Sequence, residues 1–178
     1  MKKFVTIFNI YAPTAPTSSP ENLVRYHTWL EELTKEVHAA RASGCAIFVI
    51  GDFNVAPDPG MDRSSNSSGN KAAELLLWMQ ITSQLQMADA FRARHPNTSA
   101  MTHVRQDDHS RIDHILCNTD DFKLIKGIAI DSAPKIPNTA HRTIILDLDT
   151  KLINTTKKNS HHRAQTIQFP HHKRLHKS

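Results

Sequence analysis

An apolar run from Cys45 to Ile50 stops at Gly51 and continues as Asp52-Phe53-Asn54. A short run this rich in β-branched and aromatic residues, closed by glycine, reads as a buried strand ending in a turn. The turn delivers Asp52 and Asn54 to the strand's rim. Residues separated by one position on an extended tail face the same side. A carboxylate and a carboxamide held there can fix a water, a cation and a phosphate oxygen relative to one another. Phosphodiester cleavage depends on such positioning and on charge stabilisation.

The rest of the chain supplies partners for that strand. Residues 4–11 alternate and predict a strand. Ser19 is a good N-cap with Pro20 behind it. Leu23, Tyr26, Leu30, Leu33, Val37 and Ala40 recur at helical spacing, so 20–42 reads as an amphipathic helix that Gly44 terminates. Residues 57–70 are rich in Pro, Ser, Gly and Asn and read as a long surface loop. A second helix is expected over 71–84, with Leu75, Leu76, Trp78, Met79 and Leu85 on its apolar side, and a short helical turn over 88–94. Strands are expected around 101–105, 111–117, 124–130 and 143–149. Strands with interposed helices, several of the late strands antiparallel, give an α+β class.

Length suits one domain, taken as residues 1–150. The formal charge of +5 comes from the remainder: seven of the 22 Lys and Arg lie beyond residue 150, with no acid among them. Residues 1–150 therefore hold 15 basic residues against 17 acidic ones. The segment 151–178 has no apolar periodicity and reads as a disordered, His-rich tail suited to non-specific phosphate contacts. Charge runs of this kind are more often simply solvated. Cys45 and Cys117 are the only cysteines, so neither a disulfide framework nor a Cys-x-x-Cys zinc site is expected, which fits an intracellular protein. No run is long enough to span a membrane.

Gly51-Asp52-Phe53-Asn54 resembles a motif of the endonuclease/exonuclease/phosphatase family, the DNase I-like fold. Three further segments agree, in the family's order. Asn9-Ile10-Tyr11-Ala12-Pro13 is similar to its strand ending in Tyr-x-Pro. Ser110-Arg111-Ile112-Asp113-His114-Ile115-Leu116 is similar to its Arg-Ile-Asp-Tyr-Ile-Leu strand. Ala140-His141-Arg142-Thr143-Ile144-Ile145-Leu146 is similar to its closing Ser-Asp-His-Arg-Pro-Val-Leu segment. Met87–Arg92 followed by His95-Pro96 looks closest to endonuclease domains of non-LTR retrotransposons.

The resemblance implies a two-sheet β-sandwich flanked by helices and a Mg²⁺- or Mn²⁺-dependent phosphodiesterase that nicks DNA, nuclear if it serves a retroelement. It implies that Asp52 contacts the metal and orients the attacking water, and that Asn54 holds that water or a phosphate oxygen. Asp113 would fix the tautomer of His141, which then stabilises the transition state as imidazolium or takes a proton from water. Tyr11 would donate to a phosphate oxygen. Thr102 and Arg111 are the expected substrate contacts; His103 stands where the family often has an aromatic. Blander readings sit beside these: Asp52 as a turn aspartate, Asp113 paired with Arg111, His141 as a surface histidine, Tyr11 as a strand-edge cap.

Two departures bear on activity. The family's opening strands, with an Asn and the principal metal-binding Glu, are expected to be missing at the amino terminus. The family's Ser-Asp-His is Thr139-Ala140-His141, and Ala140 offers no ligand. An impaired enzyme, a non-catalytic nucleic-acid-binding remnant and a phosphatase of the same fold are the alternatives this leaves.

Overall fold

The computed structural model describes residues 2–14, 16–64, 71–131 and 139–154. In chain order the elements are β1 (Val5–Tyr11), α1 (Pro20–Ala42), β2 (Ala46–Asp52), α2 (Lys71–Leu85), β3 (Ala88–Asp89), α3 (Ala90–Arg94), β4 (His103–Arg105), β5 (Asp108–Ser110), β6 (Asp113–Cys117), a 3-10 turn over Thr119–Leu124, β7 (Ile125–Ile130) and β8 (Ile144–Leu148). The main sheet has the order β1-β2-β6-β3, with β1 parallel to β2 and β6 antiparallel to it. Two further two-stranded pairs, β4-β5 and β7-β8, accompany it.

Alternation along β2 explains the layering. Ile47 and Val49 face α1 and α2, where Tyr26, Trp29, Leu30, Leu33, Val37, Leu77, Ile81 and Leu85 form one core. Ala46 and Phe48 face the other way, onto Ile115, Cys117, Ile125 and Ile128 of β6 and β7. The strand is therefore buried on both faces, as its unbroken apolar run requires. The result is an α+β arrangement: α1 and α2 outside one face of the main sheet, the β7-β8 pair and α3 on the other. Burial also pushes the Cys117 thiol up to about 12, so it is a packing residue and not a nucleophile.

Local chemistry sets the element ends. The Ser19 hydroxyl accepts from the Asn22 N–H at 3.2 Å and Pro20 opens α1. Gly44 follows the helix with φ +76°, a conformation glycine adopts without strain. Gly51, at φ +138°, lies so close to β1 that a Cβ there would collide with the Ile10 carbonyl oxygen. No described helix is long and apolar enough to cross a membrane.

Several expectations are corrected. In α2 the buried positions are Glu74, Leu77, Ile81 and Leu85, while Leu75, Leu76 and Met79 are exposed. Leucines occur all round this helix, so composition misleads and the three- and four-residue spacing of 74, 77, 81 and 85 identifies the core face. The single strand expected over 111–117 is broken: the Arg111 N–H donates to Asp62 O, and the N–H groups of Ile112 and Asp113 donate to Thr102 Oγ1. The boundary placed at residue 150 falls within an attached segment, because Lys3 and Ile153 form a parallel bridge and the Asn154 N–H donates to Lys3 O at 2.7 Å. Residues 65–70 of the expected loop and 155–178 of the expected tail lie outside the described residues.

Candidate active site

Strand register builds the site. Tyr11 lies opposite Asp52 across β1–β2, and Asp52 lies opposite Asp113 across β2–β6. Side chains directly across a ladder project from the same face. The three form one row at the end of the sheet, on the face turned away from the helices. His141 joins the row from the segment before β8, with Nδ1 3.0 Å from Asp113 Oδ2. That segment is zipped onto β4: His103 and His141 form a bridge, the Val104 N–H donates to Ala140 O at 2.8 Å, and the Arg142 N–H donates to Thr102 O at 2.6 Å.

The turn after β2 is held from several sides. Asp52 Oδ1 accepts from the Asn54 N–H at 2.8 Å, an aspartate turn that favours the left-handed φ of +53° at Asn54. Asn54 Nδ2 donates to Ala12 O at 2.8 Å, and Tyr26 Oη donates to Phe53 O at 2.8 Å. The Phe53 N–H donates to Ile112 O at 2.9 Å. These bonds fix Asp52 against β1, α1 and the entry to β6 together.

Electrostatics distinguish this carboxylate. Burial pushes the Asp52 carboxyl up to about 6. The Asn54 N–H opposes the rise, the nearby Asp113 charge adds to it, and His141 and His114 pull it down. Among the described residues no Lys or Arg forms an ion pair with Asp52 or Asp113. On Asp113, the carboxylate accepts from His141 Nδ1, which sets the proton on Nδ1 and leaves Nε2 as the ring's other face to a ligand.

Asp52, Asp113 and His141 each offer a ligand atom, and these atoms lie within 4.8 Å of one another. Two adjacent carboxylates with no Lys or Arg partner among the described residues, one of them driven toward its neutral form, fit a hard divalent cation that would relieve their repulsion.

Not every expected residue reaches the row. Tyr11 does, and it is 69% exposed. Arg111 does not: it is 1% exposed, on the far side of the sheet. Its guanidinium donates to Asp62 at 2.8 and 3.0 Å and to Asp89 at 2.7 Å, so it is neither a substrate contact nor the partner of Asp113. Thr102 is fully buried; its hydroxyl accepts from the Ile112 and Asp113 N–H groups and so positions Asp113 without touching a substrate. His103, which stands where the family often has an aromatic, brings its ring centroid to 5.0 Å from that of His141.

The family model described as "Endonuclease/Exonuclease/phosphatase family" matches residues 3–135. Among solved structures, the chain is similar to a 3'-5' exonuclease, NExo, from Neisseria meningitidis, at 22% identity and TM-score 0.67, covering 82% of this chain and 61% of that one. The same holds for a Neisseria 3' phosphatase NExo bound to product DNA hairpin, at 21% identity and TM-score 0.65, covering 82% and 61%. An AP endonuclease from Archaeoglobus fulgidus is 19% identical with TM-score 0.66, covering 82% and 62%. At these identities the likeness is one of fold, and the chain spans about three fifths of the length of each. Comparison with the curated proteins found no match.

Proposed function

Because the chain belongs to the endonuclease/exonuclease/phosphatase family, we propose that it is built as a divalent-metal-dependent phosphodiesterase acting on DNA, of the retroelement nicking type. The observation that carries the reading is the convergence of Asp52, Asp113 and His141 within 4.8 Å at the end of three paired strands, beside Tyr11.

In this reading Asp52 and Asp113 would hold Mg²⁺ or Mn²⁺, and the ion supplies charge neutralisation at the phosphoryl group. The residues do the positioning. Asp113 holds the His141 ring so that Nε2 faces the substrate. From there His141 either takes a proton from water or, protonated, faces the charge that develops on phosphorus. Asn54 has one amide hydrogen committed to Ala12, and the rest of its carboxamide is left for water or a phosphate oxygen. The exposed Tyr11 hydroxyl donates to phosphate. The basic segment 151–178 adds non-specific attraction to DNA.

The same geometry argues for weak turnover. Ala140 precedes His141 with no carboxylate, so the ligand set rests on Asp52 and Asp113, and Asp113 is already bonded to the imidazole. A non-catalytic DNA-binding role is what remains if that set is too poor to load. Supercoiled plasmid incubated with the chain and Mg²⁺ or Mn²⁺ tests the reading. Weak metal-dependent nicking, a little above the metal-free control and removed by Asp52→Ala, is expected. Robust nicking that needs Asp52 would overturn the impairment alone. Metal-dependent nicking indifferent to Asp52→Ala would overturn the site.

A further inference from the structure

His103 has features that its sequence position does not predict. Its backbone bridges His141, and the two rings meet edge to face with centroids 5.0 Å apart and planes at 66°. It is half-buried at the same rim, and no described residue forms a hydrogen bond with its ring nitrogens. His141, by contrast, has Nδ1 committed to Asp113. We infer that His103 is a second phosphoryl-binding residue of this site, donating an imidazole N–H to a non-bridging phosphate oxygen beside His141.

The inference rests on the phosphodiesterase reading above and deepens it. A phosphoryl group seated on the Asp52–Asp113–His141 row lies next to both rings. Burial and the neighbouring His141 hold the His103 ring below the ordinary histidine range, against Asp108 and Asp113, which raise it; Arg105 lowers it further. A neutral imidazole still carries one N–H, so the donor is present at neutral pH without protonation. A phenyl ring would fill the same space and pack on His141 as well, but could not donate. Packing and donation can therefore be separated.

The test is an NMR titration of the full chain with thymidine 3′-phosphate, read at the imidazole nitrogens of His103 and His141. In the wild-type chain both rings should shift together. His103→Phe, which keeps the packing, should weaken binding about tenfold, the scale of one lost hydrogen bond to an anion. His103→Gln, which keeps a donor, should stay within about threefold. Phe binding like wild type, or Gln weaker than Phe, would reduce His103 to a packing residue and overturn the inference. Shifts confined to His141 would overturn it too while leaving the active-site reading standing. Shifts at neither ring would overturn both.

Discussion

Among the described residues, two clusters of carboxylates lie on opposite faces of one sheet, and they are treated in opposite ways. On the helix side, Asp62 and Asp89 are enclosed with Arg92, Arg111 and His114. There burial raises the Asp89 carboxyl, but the His114 hydrogen bond and the Arg111 charge outweigh it and hold the group well below the usual carboxylate range. At the rim, Asp52 and Asp113 face each other with a histidine and no Arg or Lys, and the Asp52 carboxyl rises to about 6. Countercharge built into the fold marks structure. Countercharge left out marks a place where something else must supply it.

Removing the built-in charge should have the largest effect. Arg111→Met leaves Asp62, which has no exposed surface, and Asp89 short of their main partner. Breaking a buried pair from one side costs about 3–5 kcal/mol. Urea denaturation should show a loss on that scale; a loss under about 1 kcal/mol would erase the contrast between the two clusters.

The rim should respond with the opposite sign. Asp52 has a folded pKa near 6, above its unfolded value of about 3.9. The folded state therefore keeps that proton longer, so the group's stabilisation is full below about pH 4 and is lost as pH rises through 6. Asp52→Asn cannot ionise, and should stabilise the chain at pH 7 by about 1–2 kcal/mol after allowing for solvent screening at the rim. The gain should vanish below pH 4. Equal stability of the two proteins at pH 7 would show that the rim carboxylate carries no strain.

A smaller effect is expected one residue further along the row. Asp113→Asn should change folding stability by about 1 kcal/mol or less, since its partner His141 is part-exposed. It should still release the His141 tautomer, seen as a redistribution of the two ring-nitrogen shifts. Unchanged shifts would dissolve the pair.

How much of this was legible in the sequence differs between the two clusters. The rim was readable because alternation and end-of-strand position are local: Asp52 and Asp113 fall where β2 ends and β6 begins, and Tyr11 where β1 ends. The helix-side cluster was not. Asp62, Asp89 and Arg111 come from a loop, a two-residue strand and the break between β5 and β6, and no periodicity joins them. Arg111 sits two positions from Asp113, which alternation places on the same face; the break at Ile112 overrides it by sending backbone donors to Thr102. The α2 core face was hidden by excess leucine, and the contact of His103 with His141 by a single bridge between distant segments.

Titration of Mn²⁺ against the full chain at pH 7.5, followed by the loss of free-ion paramagnetic resonance signal, tests most directly whether the rim's missing countercharge is a divalent cation. The account predicts weak, saturable binding to one site that Asp52→Asn weakens about tenfold or more, and that also raises the urea midpoint of the wild-type chain but not of the variant. Identical Mn²⁺ binding by wild type and Asp52→Asn would contradict it.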